Sequence, residues 1–250
     1  MTTTSIAVTE TPLVRLALAR ADDALILGHR LSEWAGHAPM LEEDLALSNI
    51  ALDLLGQARA LYAIVAEETG HDEDELAYRR DERGFRNLLL VEQPNGDFAV
   101  TIVRQFLYAA FIDPWWRAMT ASSEPRLAAI AAKAEKETAY HLRHAAEWVI
   151  RLGDGTPESH RRCAAALERL WPLTAELFEP ITDAAFDHPP PTLRPAWDTA
   201  IATILARATL PQPAPGWPQT GGRDGRHSEH LGHLLAELQH VARSHPGAVW

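Results

Sequence analysis

The sequence predicts an all-α protein, an antiparallel bundle of four long helices with accessory helices packed on it. Apolar residues recur at spacings of three and four over most of the 250 residues, which places them on one side of a helix. Proline and glycine gather at the ends of these stretches, where helices start and stop. No segment shows the two-residue alternation of a strand.

The first helix spans residues 12–35, with Pro12 in its opening turn and Leu13, Leu16, Ala17, Ala24, Leu27 and Leu31 at helical spacing; Gly36 and Pro39 end it. Residues 40–69 form the second. Glu42, Glu43 and Asp44 complement its N-terminal dipole, and Gly70 suits its C-cap. Apolar residues fall almost all round it, the pattern of a helix buried on every side. A short charged helix over 72–83 and the turn Gln93-Pro94-Asn95-Gly96 lead to a third long helix, 97–120, which Pro114 should kink or break. The fourth, 124–152, opens on Pro125 and ends at Gly153. After residue 155 come accessory helices at 157–178, 196–208 and 228–243, separated by connectors rich in proline and, in the second, glycine. Residues 12–250 read as a single helical domain, and residues 1–11 as a disordered tail.

Composition limits the function. The net charge of −11 disfavours nucleic acid and anionic membranes as partners, since both reward clustered Lys and Arg. Cys163 is the only cysteine, so neither an intrachain disulfide nor a Cys-based zinc site can form. The start lacks a basic segment followed by an apolar run, and no stretch reaches the ~18 apolar residues of a membrane span. The expected location is the cytoplasm.

A large helical bundle raises the possibility of a di-iron carboxylate centre, which takes one Glu from each of two helices and Glu-x-x-His from each of two others. Glu-x-x-His occurs at Glu68–His71, across a helix end, and at Glu237–His240, outside the four-helix core. At mid-helix positions the acid is present without its histidine: Asp53-Leu-Leu-Gly56 in the second helix and Glu137-Thr-Ala-Tyr140 in the fourth. His141 falls one position too late, about 100° further round. The first helix offers Asp22 and Asp23, and the third offers Arg104 and Gln105 where an acid is needed. We therefore expect no metal in this chain and, in its place, a polar network of Asp23, Asn49, Asp53, Gln57, Arg104, Lys133, Glu137 and His141. In it Arg104, Lys133 or Lys136 would pair with Asp53 and Glu137. The alternative is that these charges are solvated and merely flank the core.

Long stretches also carry a resemblance. Residues 30–39 (RLSEWAGHAP), 44–59 (DLALSNIALDLLGQAR), 80–96 (RDERGFRNLLLVEQPNG), 140–143 (YHLR), 170–171 (LW), 174–178 (TAELF) and 229–232 (EHLG) resemble the C-subunit family of bacterial phenylacetyl-CoA 1,2-epoxidases. The resemblance covers nearly everything after Leu13. It implies a ferritin-like fold and a scaffold role without a metal. The partner would be a homologous catalytic A subunit that holds the di-iron site, joined with this chain in a heteromer. A reductase bearing FAD and an iron–sulfur cluster would supply electrons from NADPH. The family motif brings no catalytic residue to this chain.

Two features lie outside that reading. The Gly-rich loop 220–227 carries Arg223 and Arg226 ahead of a helix start, a place where a phosphate or a partner can bind; the alternative is an ordered turn with Ser228 as N-cap. Eight tryptophans are many for this length. Core packing accounts for them, except that Trp115 and Trp116 cannot point the same way, leaving one to meet a partner. The leading function is a non-catalytic oxygenase subunit. Its alternatives are a di-iron oxygenase with unorthodox ligands and a helical acyl-CoA-binding protein.

Overall fold

The computed structural model describes residues 5–248. Its helices are α1 (Pro12–Ser32), α2 (Leu41–Thr69), α3 (Glu73–Tyr78), α4 (Leu89–Glu92), α5 (Phe98–Met119), α6 (Pro125–Gly153), α7 (Pro157–Leu170), α8 (Arg194–Arg207), α9 (Glu229–Leu238) and α10 (His240–Ser244). Short 3-10 turns join several of them, and no strand occurs among the described residues. None of these helices is long and apolar enough to cross a membrane.

Local chemistry sets the boundaries. Thr11 Oγ1 accepts from the Val14 amide and Pro12 occupies the first turn of α1. Gly70 closes α2 in the left-handed conformation, which glycine adopts without a Cβ clash. Thr156 and Ser159 form a reciprocal capping box at the start of α7, satisfying amides that have no partner within the helix. Pro114 does not end α5, which continues to Met119.

Two antiparallel hairpins, α1–α2 and α5–α6, form the ferritin-like bundle. Contacts from Glu43 to His144, Gln57 to Glu137 and Glu67 to Arg126 run in opposite directions along α2 and α6. Hence α2 and α5 are parallel, and residues 70–97 must return along the whole bundle. That crossover lies on α1: Arg80 reaches Asp22, the Leu88 amide reaches Asp23, and Arg30 holds the Glu92 carbonyl. Helices α7 and α8 pack on the α5–α6 pair.

Burial departs from the sequence reading at α2. The helices closed on nearly all sides are α1 and α5, whereas α2 leaves Leu41, Leu45 and Leu52 in solvent. Both Trp115 and Trp116 are fully buried, so neither is free for a partner. The ring of Trp115 lies over the Arg20 guanidinium instead, 4.5 Å from its centre. Trp217 is the exposed tryptophan, at 89%; Trp250 lies outside the described residues. The helices expected over 157–178 and 228–243 change character part-way, with a 3-10 segment at Trp171–Phe178 and a break at Gln239. Part of the expected tail is also ordered. Residues 1–4 lie outside the described residues, but Ile6 donates its amide to the Arg79 carbonyl at 3.1 Å and Glu10 pairs with Arg86 at 2.6 Å. Ile6 and Val8 pack on the core, which repays the ordering of the chain.

Accessory helix α8 is tied to the bundle by Trp197, Ile201 and Leu205, of which Trp197 is the largest. Trp197 is fully buried, stacks near Trp171 and Phe178, and donates its Nε1–H to the Leu107 carbonyl of α5 at 3.0 Å. Trp197→Ala should lower unfolding free energy by about 3–5 kcal/mol, measured by urea denaturation.

Candidate functional site

The interior of the bundle is built around carboxylates. Asp22 and Asp23 stand side by side in the middle of α1, fully buried. Consecutive helical residues diverge by about 100°, so each serves a different segment. Asp22 accepts from both terminal nitrogens of Arg80, from the Tyr62 hydroxyl and from the Arg86 amide. Asp23 accepts from Arg223 at 2.9 and 2.7 Å, from the Leu88 amide at 2.8 Å and weakly from Arg20 at 3.5 Å.

Two further buried acids repeat the device. Glu176 accepts from the amides of Leu89, Gly221 and Gly222. Glu92 accepts from the Asn87 side chain, the Ser228 amide and His227 Nδ1. Together these four acids pin the crossover and the 220–228 loop to the bundle. Gly222 permits the approach, since a Cβ there would sit 2.2 Å from the Asn87 carbonyl oxygen.

The charges balance inside the protein. Burial opposes ionisation of Arg80, but Asp22 and Tyr62 outweigh it and hold its pKa above the ordinary value. Burial similarly opposes the His227 cation, yet the Glu92 hydrogen bond and charge, with the Phe85 carbonyl, raise its pKa. For Glu176 burial prevails over its amide donors and raises the pKa. Arg20 is lowered by burial and then by Arg223; its Nε and one terminal nitrogen have no hydrogen-bond acceptor among the described residues, and the faces of Phe111 and Trp115 flank it.

A second polar cluster lies in the seam between α2 and α6. Gln57 donates to Glu137 at 2.9 Å, Lys133 meets Glu137 at 3.2 Å, and His141 Nε2 lies 3.0 Å from Asp53. His144 and Glu43 extend the seam at 2.9 Å. The structure thus brings together Asp53, Gln57, Lys133, Glu137 and His141 of the expected network. It separates the other members. Asp23 belongs to the interior cluster, and Asn49 is exposed on α2. Arg104 is captured at the opposite end of its helix by the Gln93 carbonyl and the Asn95 side chain, with its pKa pushed down to about 9 by burial and the charge of Arg30.

Neither cluster fits a di-iron centre. Among the described residues no three His, Cys, Asp or Glu side chains converge as a metal-holding set. The acids that face the interior are met there by Arg20, Arg80 and Arg223, whose fixed positive charge opposes a cation. Of the Glu-x-x-His pairs, Glu68 points to Arg126 while His71 turns to Glu75, and Glu237 and His240 sit on separate short helices.

The 220–227 loop also differs from expectation. Arg223 is buried against Asp23, Ala19 and Arg86, so it has no donor facing outward for a phosphate. Arg226 is exposed and lies 3.4 Å from Asp224. Ser228 precedes α9 but makes no side-chain cap; it gives its amide to Glu92.

The acids and arginines that organise the interior were visible in a different form. Arg80 and Glu92 lie within the matched stretch 80–96, and Glu176 lies within 174–178. Charged residues inside stretches without helical periodicity were the signal, and helix-face arithmetic does not register it.

Comparison with known proteins gives a concordant picture. A family model described as phenylacetic acid catabolic protein matches residues 1–250. The chain is 48% identical over 249 residues to the C subunit of the 1,2-phenylacetyl-CoA epoxidase of Escherichia coli (strain K12), covering 95% of this chain and 99% of the relative.

Two experiments separate the clusters. Asp22→Asn strands the Arg80 charge in the interior and should cost about 3–5 kcal/mol of stability, whereas Asp53→Leu in the half-open seam, which takes the partner from the buried His141 Nε2, should cost about 1–3 kcal/mol. Chemical denaturation of both variants reads the difference. His227, its pKa raised in the native state, adds stability that is complete below its ordinary value of 6.5 and is lost as pH rises through the raised value. His227→Gln should therefore be most damaging in mild acid and progressively less so in alkali, measured as unfolding free energy against pH.

Proposed function

The chain belongs to the phenylacetic acid catabolic protein family, and from that membership we propose that it is the structural subunit of a phenylacetyl-CoA epoxidase complex. In this reading it holds no metal, and it binds and supports a homologous catalytic subunit that carries the di-iron site. A reductase with FAD and an iron–sulfur cluster feeds that subunit. The similarity to the C subunit of the E. coli epoxidase supports this assignment over nearly the full length of both chains.

One structural observation carries the metal-free part. The two fully buried acids of α1, Asp22 and Asp23, are already saturated by guanidinium and backbone amide donors. An iron ion would have to displace buried arginines and leave them unpaired, at a cost of several kcal/mol each. The reading as a di-iron oxygenase with unorthodox ligands meets that same cost. The acyl-CoA-binding reading loses one of its two candidate phosphate contacts, because Arg223 is turned inward.

The test is co-expression with the homologous catalytic chain, separation of the two, and metal analysis of each. Iron should follow the partner, this chain should carry only trace amounts, and epoxidation should require both. Stoichiometric iron in this chain alone, with turnover, would overturn the proposal.

A further inference from the structure

Helix α2 has an apolar pattern all the way round, yet one face of it has nothing upon it. Leu41, Leu45 and Leu52 are 72%, 57% and 65% exposed. Their separations of four and seven residues stack them on a single side of the helix, with the exposed Asn49 between Leu45 and Leu52. Met40, the exposed N-cap residue, adds an apolar side chain just before the helix. In a lone surface helix that side is ordinarily polar.

Gly56 falls one turn beyond Leu52 on the same side. It is exposed, and a Cβ built there would meet nothing within 4 Å. The chain's own packing therefore gives no reason for glycine, and glycine inside a helix is destabilising relative to alanine. A residue without a side chain, set in an exposed apolar row, lets another backbone approach closely, because the interaxial distance of packed helices follows the side chains at the crossing.

Charge restricts what approaches. Every ionisable residue from Leu41 to Gly56 is acidic: Glu42, Glu43, Asp44 and Asp53. Glu43 is buried against His144, Asp53 lies 3.0 Å from His141 and Asp44 accepts from the Gly36 amide, so the border of the row is acidic with Glu42 and Asp44 at its outer edge. A second copy laid along this stretch would bring acid to acid, and like charges at an interface are disfavoured.

We infer that the Leu41–Gly56 face of α2 is the docking surface for a helix of a second, non-identical chain. The occupant's apolar side chains meet Leu45 and Leu52 on either side of Asn49 and cross at Gly56, and Lys or Arg residues beside them meet Glu42 and Asp44. The inference rests on the heteromer proposed above and names its contact surface.

Two variants test it in the full-length chain. Gly56→Leu raises helix propensity and fills open space, so the isolated chain should melt at the same temperature or higher. The double variant Leu45→Glu/Leu52→Glu changes exposed positions and should also fold normally. Titrated against the purified homologous catalytic chain, each should bind on the order of 100-fold more weakly than the unaltered protein. Unchanged binding by both folded variants would discard this face while leaving the structural-subunit reading intact. Absence of binding by the unaltered chain would overturn that reading and this one with it. Sedimentation of the chain alone checks the remaining occupant: a homodimer dissolved by the two variants would assign the face to a second copy and refute the inference.

Discussion

Two adjacent acids in the middle of α1 set the terms for the rest of the structure. A helix that buries Asp22 and Asp23 together must supply both with donors, since an uncompensated buried charge is prohibitive. The donors come from far along the chain: Arg80, the Arg86 and Leu88 amides, and Arg223. The demand for partners therefore dictates the path of the crossover and the place of the 220–228 loop. Glu92 and Glu176 then fasten the same two segments to one another from the other side. A connection that could lie anywhere along the bundle surface is given one course.

The polar residues divide into two populations with different energetics. Those of the interior are excluded from water, and each carboxylate is met by geometry that leaves little slack. Those of the α2–α6 seam are partly wet, with Lys133 largely exposed and the Asp53 side chain more than a third exposed, so solvent screens these two more than any charge of the interior. Helix-face arithmetic finds the second population, because i, i+4 spacing generates it. It does not find the first, because those contacts join residues up to 200 positions apart.

That division also explains how far the sequence could be read. The four long helices were legible from Pro12, Gly70, Pro125 and Gly153, each a local signal for a local event. The seam was legible from Asp53, Gln57, Glu137 and His141 on regular faces. Arg104 was misplaced because a long side chain on a central helix can reach toward either end, and the acceptors at Gln93 and Asn95 follow from the loop's course, which periodicity does not encode. The phosphate reading of Arg223 failed for a related reason: a basic Gly-rich loop looks the same in sequence whether its arginine faces solvent or a buried carboxylate.

An interior fastened by guanidinium groups and backbone amides draws on nothing that a cell has to deliver. Its parts arrive with translation, they carry no electrons to lose, and no chelator can strip them. The course of the crossover and the seat of the 220–228 loop are thus written into the polypeptide itself.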